Sequence, residues 1–344
     1  MQVVVSQPGP GIVLEERAEP SAEPGELVIR LLACGLCGTD LYKIARGSHA
    51  GTVLGHEVVG EVLSVGEGTR DFAVGDRVAA PHHLACGRCR LCRAGAETRC
   101  DLFRQDQLDP GGFSPQIRVA AAAVELSTRR LPPELPTEAA VFLEPAACVL
   151  RGIDRAGLDG LAIESLPLAC LVLGAGSMGL LHVLLLRALF PDATIVVTEP
   201  DAWRRRQATR MGADRALAPR ELGAALPELG DGRGFDAAFD TVGAPELIAS
   251  TARHLRSGGT LVLFAHPKQG DLGTILETLF FEERRLVGTY SGALDEQQRV
   301  FDLLVEGDLD PRPLVTHHVP LTRFDEALRL SRDPRALKIL LVPS

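Results

Sequence analysis

The segment Gly174-Ala175-Gly176-Ser177-Met178-Gly179 narrows the folds open to this chain more than any other stretch. Before it, Cys170-Leu171-Val172-Leu173 reads as a buried parallel strand, and after it an apolar helical stretch begins. A Gly-x-Gly-x-x-Gly turn between a strand and a helix is a dinucleotide-binding signature. Gly174 permits the tight turn, Gly176 lets the backbone approach a pyrophosphate, and Gly179 allows close helix–strand packing. Ser177 and Met178 fall in the first helical turn, where free N–H groups and partial positive charge receive phosphate. The next strand, Thr194–Thr198, runs into Glu199, about twenty residues past the last glycine. A carboxylate there accepts hydrogen bonds from the adenosine ribose hydroxyls and repels a 2′-phosphate, which favours NAD. Arg204, Arg205 and Arg206 keep NADP open, with Arg204 taken as the cofactor contact. At least two of the three read as a solvated helix face.

Strands and helices keep alternating beyond this point. Phe235–Asp240, 260–264 and 286–289 read as strands, and 245–255, 272–281 and 294–304 as helices. Repeated βα units predict an α/β fold with a parallel, doubly wound sheet. Residues 1–125 instead carry short β-like runs broken by Gly and Pro, such as 58–65 and 77–80, which predicts a mostly β domain. Residues 169–190 are apolar enough to suggest a membrane helix. The three glycines near the start of that stretch, with His182 and Arg187 further along, fit a strand, turn and buried helix better.

Eight cysteines, without a secretory signature at the start of the chain, point to metal or catalysis rather than disulfides. Cys86-x2-Cys89-x2-Cys92-x7-Cys100 can wrap one Zn²⁺ with sulfur ligands only, a closed structural site. Arg88, Arg90, Arg93 and Arg99 beside it can offset the charge of four thiolates. A nucleic-acid-binding zinc module is the weaker reading, because the chain carries 36 Lys and Arg against 45 Asp and Glu, a net charge of −9. It also has few aromatic residues for base stacking: 12 Phe, 2 Tyr and 1 Trp. The balance disfavours nucleic-acid and anionic-membrane partners and suits a cytoplasmic protein acting on a small molecule.

A second constellation is spread over three places: Cys34-Gly35-Leu36-Cys37-Gly38-Thr39-Asp40, Gly55-His56-Glu57 and Leu143-Glu144-Pro145. Thiolate, imidazole and carboxylate together make a three-ligand zinc site with a position free, the catalytic arrangement. A lone Gly-His-Glu is, on spacing alone, more often a buried, satisfied histidine. Cys34, Cys148 and Cys170 read as small buried residues, and His82-His83 as a surface pair.

Taken together, these segments, with Gly60 and Phe72-x-x-Gly75-Asp76-Arg77-Val78, resemble the zinc-containing medium-chain dehydrogenase/reductase family over essentially the whole chain. The resemblance implies a GroES-like catalytic domain at 1–150 and 290–344, with a Rossmann NAD(P)-binding domain inserted at 151–289. It implies two zinc ions per chain, the catalytic one held by Cys37, His56 and Glu144, with Glu57 as its acidic neighbour. Glu144-Pro145 is similar to the sorbitol and threonine dehydrogenase branches, where simple alcohol dehydrogenases usually carry cysteine. Asp40 is implied to orient His56, and Thr39 to hydrogen-bond the substrate oxygen and start the proton relay. Tyr42 departs from the histidine many relatives have there. The activity implied is reversible oxidation of a secondary alcohol, of polyol or sugar-alcohol type, to a ketone. An amino-sugar or cyclitol ketone reductase and a threonine-type dehydrogenase are alternatives, as is a nucleotide-binding protein that has lost its chemistry. Homodimers or homotetramers are implied, and His49, Phe113, Tyr290 and His266 are candidate pocket residues, though core packing or an exposed loop is the simpler reading of each.

Overall fold

The computed structural model describes residues 1–159, 168–228, 232–270, 272–273 and 275–344. They separate into two compact units: Met1–Ala147 with Gly292–Ser344, and Cys148–Ser291.

In the second unit, six short strands form a fully parallel sheet. From edge to edge they are Arg215–Leu217, Thr194–Thr198, Ala169–Leu173, Phe235–Asp240, Leu255–Leu263 and Arg285–Gly288. Numbered along the chain, that order is 3-2-1-4-5-6, with the direction of winding reversing beside Ala169–Leu173. Every residue of that central strand is buried, as expected of a parallel strand covered on both faces. The apolar stretch that follows is a 13-residue helix, Ser177–Leu189, and not a longer span. No helix among the described residues is long and apolar enough to cross a membrane.

Several element boundaries differ from the sequence reading. The helix expected over 245–255 stops at Ala252, and the strand expected from 260 starts at Leu255. Gly258 and Gly259 look like a break in the sequence, and they fall in an irregularity of one continuous strand, whose pairing with Phe235–Asp240 passes from Leu255 to Thr260. The helix expected over 272–281 is Ile275–Phe281, and positions 271 and 274 lie outside the described residues.

The first unit is mostly antiparallel β, as its alternating short runs suggest. Its sheet runs Val315–Pro320, Lys338–Val342, Leu27–Gly35, Glu57–Val65, Arg77–Ala79, Arg129–Arg130, with Leu108–Asp109 and Gln116–Val119 attached. The core packs Leu27, Ile29, Leu31, Val58, Val62, Val78, Ile117 and Leu341 around Phe113 and Phe324. Two facts of register position the site. Gly35 pairs with Glu57 on one side and with Leu340 on the other, so the last strand and Glu57–Val65 flank the end of Leu27–Gly35.

Candidate active site

Cys37 caps the helix Gly38–Arg46. Its Sγ accepts the Thr39 N–H at 3.5 Å while Asp40 Oδ2 accepts the Cys37 N–H at 3.1 Å, a reciprocal cap that fixes both side chains. The other oxygen of the fully buried Asp40 lies 3.2 Å from His56 Nδ1. One short motif therefore sets the thiol and, through Asp40, turns the His56 ring so that Nε2 is the nitrogen left to bind. Burial alone would raise Asp40, but the adjacent His56 imidazole holds it below the usual carboxylate range. Burial alone would lower His56, yet Asp40 and Cys37 push it well above its ordinary value. These surroundings favour positive charge at this point.

Glu57 is fully buried and accepts two bonds from Lys338 Nζ, at 2.8 and 2.7 Å. A Cβ on Gly35 would sit 1.7 Å from Glu57 Oε2, so only glycine lets the carboxylate fold across the strand to reach that lysine. Burial works against the Lys338 ammonium, but Glu57 and Cys37 raise it above its ordinary value. Lys338 was missed by the sequence reading. No motif in the sequence marks it, and only the sheet register brings it to Glu57.

The ligand atoms of Cys37, His56 and Glu57 all lie within 4.8 Å of one another. Sulfur, imidazole nitrogen and carboxylate oxygen are a donor set zinc accepts, in a pocket that already favours a cation. Glu57 stands with Cys37 and His56, whereas Glu144 Oε1 lies 4.0 Å from His82 Nδ1. His82 and His83 are accordingly not a surface pair. Both are half-buried, the His82 ring lies 4.5 Å from that of His56, and His83 stacks on Phe103 at 4.3 Å. Burial drives both below the ordinary histidine value, His83 to about 3.

The four-cysteine lobe has almost no core beyond Ala85, Cys92, Cys100 and Phe103. Sγ atoms of Cys92 lie 3.5 Å from Cys89 and 3.9 Å from Cys86, and the Cys86 N–H reaches Cys100 Sγ at 3.5 Å. Ligand sulfurs on a tetrahedral Zn²⁺ sit about 3.8 Å apart, so the four thiols fit one ion. All eight cysteines are free of disulfides. The four arginines around the lobe are exposed, and Cys148 is half-buried rather than buried. Backbone N–H groups of Arg88 and Cys89 lower Cys86 to about 6, whereas burial and the neighbouring cysteines push Cys92 up to about 12. Zinc must therefore displace at least the Cys92 proton. Affinity of the lobe for zinc is expected to rise at least tenfold per pH unit between about pH 6.5 and 8.5, one factor of ten for each proton displaced. Chelator competition at several pH values measures it, and a flat profile would contradict the four-thiolate set.

In the other unit, Gly174 has φ +90°, and a Cβ on Gly179 would lie 2.0 Å from the Gly174 carbonyl oxygen. The spacing of the fingerprint is thus a packing requirement. Gly176 caps the helix, Ser177 and Met178 begin it, and Ser177 Oγ is buried with no hydrogen-bond partner among the described residues. Glu199, nearly buried, accepts the Ala175 N–H at 2.9 Å and the Asp201 N–H at 2.9 Å, which anchors it beside the glycine turn. The Arg204 guanidinium reaches within 4.0 Å of where a Gly176 Cβ would be. Arg205 instead binds the carbonyls of Glu199 and Pro200, and Arg206 is exposed. Of the suggested pocket residues, Phe113 belongs to the core, and His49, His266 and Tyr290 are exposed.

Residues 23–128 match the alcohol dehydrogenase GroES-like domain and residues 178–306 the zinc-binding dehydrogenase family. An L-threonine 3-dehydrogenase of Saccharopolyspora erythraea is 29% identical over 351 residues, covering 98% of both chains. Galactitol-1-phosphate dehydrogenase of Escherichia coli superposes with TM-score 0.85 at 25% identity, covering 100% of both chains. The 2R,3R-butanediol dehydrogenase of Bacillus subtilis does so with TM-score 0.84 at 26% identity, over 100% of this chain and 99% of the other. A mostly β unit and a 3-2-1-4-5-6 parallel sheet, each under the matching domain and in the same chain order, leave one assignment: the chain is a zinc-binding dehydrogenase of the zinc-containing medium-chain alcohol dehydrogenase family.

Proposed function

We propose that this dehydrogenase reversibly oxidises a secondary alcohol bearing a neighbouring hydroxyl, of polyol or sugar-alcohol type, to the ketone, with NAD as hydride acceptor. The observation that carries this reading is the half-buried pair Glu144 and His82 beside the Cys37–His56–Glu57 group. Polar groups in such a position favour a substrate with a second hydroxyl over one that would leave them unpaired.

Cys37 and His56 would hold the catalytic zinc, with Glu144 or Glu57 supplying the third, carboxylate donor. Bound there, zinc supplies a Lewis acid for the substrate oxygen, and the nicotinamide supplies the hydride acceptor. Asp40 holds the His56 ring in place and Lys338 holds the Glu57 carboxylate. Thr39, exposed on the first turn of its helix, takes the hydroxyl proton and passes it to water. Tyr42 lies one turn further along the same helical face, its ring 4.5 Å beneath the Arg46 guanidinium. The four-cysteine lobe would hold the second, structural zinc. Gly174, Gly176, Ser177, Met178 and Gly179 would receive the pyrophosphate, and Glu199 the ribose, with Arg204 able to meet a 2′-phosphate. A homodimer or homotetramer is the assembly the family resemblance favours.

The names of the curated relatives favour a second reading, a threonine-type dehydrogenase, in which an amino group replaces the neighbouring hydroxyl. Nicotinamide absorbance on zinc-loaded protein with polyols, simple secondary alcohols and threonine, each with NAD and NADP, separates the two. The proposal expects kcat/KM for a polyol with NAD to exceed that for a simple secondary alcohol by at least about tenfold. Preference for threonine selects the second reading, and preference for simple alcohols defeats both.

A further inference from the structure

We propose that Thr241 is a positioning residue for the dinucleotide. Its hydroxyl orients the peptide unit that opens the glycine turn, and through it the N–H groups that receive the pyrophosphate. The sheet register brings it there. Asp240 ends the strand Phe235–Asp240 and pairs with Leu173, the end of the central strand. Thr241 therefore comes beside Gly174 at the point where the winding reverses. The buried Asp240 carboxylate accepts the Val242 N–H at 3.0 Å and the Gly243 N–H at 3.0 and 3.1 Å, which fixes the bend that presents Thr241.

The peptide unit between Leu173 and Gly174 is held at both ends. Its carbonyl accepts the Thr241 hydroxyl at 2.6 Å and the Thr241 N–H at 3.2 Å. Its N–H donates to the Thr198 carbonyl, on the other neighbouring strand, at 2.8 Å. Because the unit is planar, fixing it fixes the direction in which the chain enters Gly174, whose φ is +90°. The same hydroxyl fills the space beneath the turn. It stands 3.0 Å from where a Cβ on Gly174 would be and 3.3 Å from one on Gly179. Thr241 lies 68 positions from the carbonyl it holds, so the glycine spacing does not report it. The inference rests on the reading that Gly174 to Gly179 receive the cofactor.

The test is isothermal titration of the full chain with NAD, for the wild type and for Thr241→Ser, Thr241→Ala and Thr241→Val. Serine keeps the hydroxyl and is expected to bind within about twofold of wild type, whereas alanine frees the carbonyl and is expected to bind about tenfold more weakly. Valine, nearest to threonine in shape, is expected to bind no better than alanine. A methyl carbon needs about 3.5 Å and cannot take a place 2.6 Å from an oxygen. A packing role alone would give the opposite order, with valine above serine. Under turnover, KM for NAD should rise with the dissociation constant while kcat at saturating NAD stays within about twofold. Valine binding NAD as the wild type does, or serine binding as weakly as alanine, overturns the role of the hydroxyl. A wild type that binds neither NAD nor NADP overturns the cofactor reading of the turn and the proposal with it, so the two failures are told apart.

Discussion

Replacing Cys37 by serine, or His56 by alanine, is expected to cut turnover by about a thousandfold or more while leaving NAD affinity within a few-fold of wild type. The size follows from the several kcal/mol of transition-state stabilisation a metal contributes at the reacting oxygen, at about tenfold in rate for each 1.36 kcal/mol. The separation of effects follows from where the residues are. Both side chains belong to the unit built from Met1–Ala147 and Gly292–Ser344, whereas the glycine turn and Glu199 belong to Cys148–Ser291. Zinc content should fall from two ions to one in each variant, because the four-cysteine lobe is untouched. Isothermal titration with NAD and metal analysis check the two halves. Loss of NAD affinity in both variants would contradict the assignment of roles.

The second large effect concerns Lys338. Its ammonium and the Glu57 carboxylate are almost wholly withdrawn from water and joined by two bonds. Removing one member of such a pair leaves a buried charge uncompensated, so Lys338→Ala is expected to destabilise its unit by about 3–5 kcal/mol. The double variant Glu57→Gln, Lys338→Met removes both charges and is expected to recover most of that stability, though not activity. The Lys338 value is raised in the fold, so its share of stability is fully present below the ordinary lysine pKa and fades only as pH climbs through the raised value. Urea unfolding of the single and double variants at neutral pH measures the difference. A double variant as unstable as Lys338→Ala would mean that the loss lies in packing and not in the buried charge.

Features written in short spacings were legible in the sequence. Gly174 to Gly179 and Cys86 to Cys100 each act within one turn or lobe, so residue order alone carries their geometry. The doubly wound sheet was legible because its central strands, Ala169–Leu173 and Thr194–Thr198, are mostly apolar and are separated by helical patterns. What was not legible depends on residues far apart in the chain. Lys338 and Glu57 are 281 positions apart and meet only because the last strand pairs with Leu27–Gly35, itself paired with Glu57–Val65. The placing of Glu144 against His82, and of Glu57 with Cys37, depends on how a loop and a helix start pack, which no spacing reports. His82-His83 looked like a surface pair because adjacent polar residues usually are, but His83 packs on Phe103 and His82 against His56.

The most direct test of the central claim follows a labelled hydride. Zinc-loaded protein is mixed with NAD and a polyol deuterated at its secondary carbinol carbon, and the reduced cofactor is examined by mass spectrometry. The account predicts deuterium on the nicotinamide ring with the wild type, and none above background with Cys37→Ser. Absence of label from every secondary alcohol tried, with two zinc ions bound per chain, would contradict it.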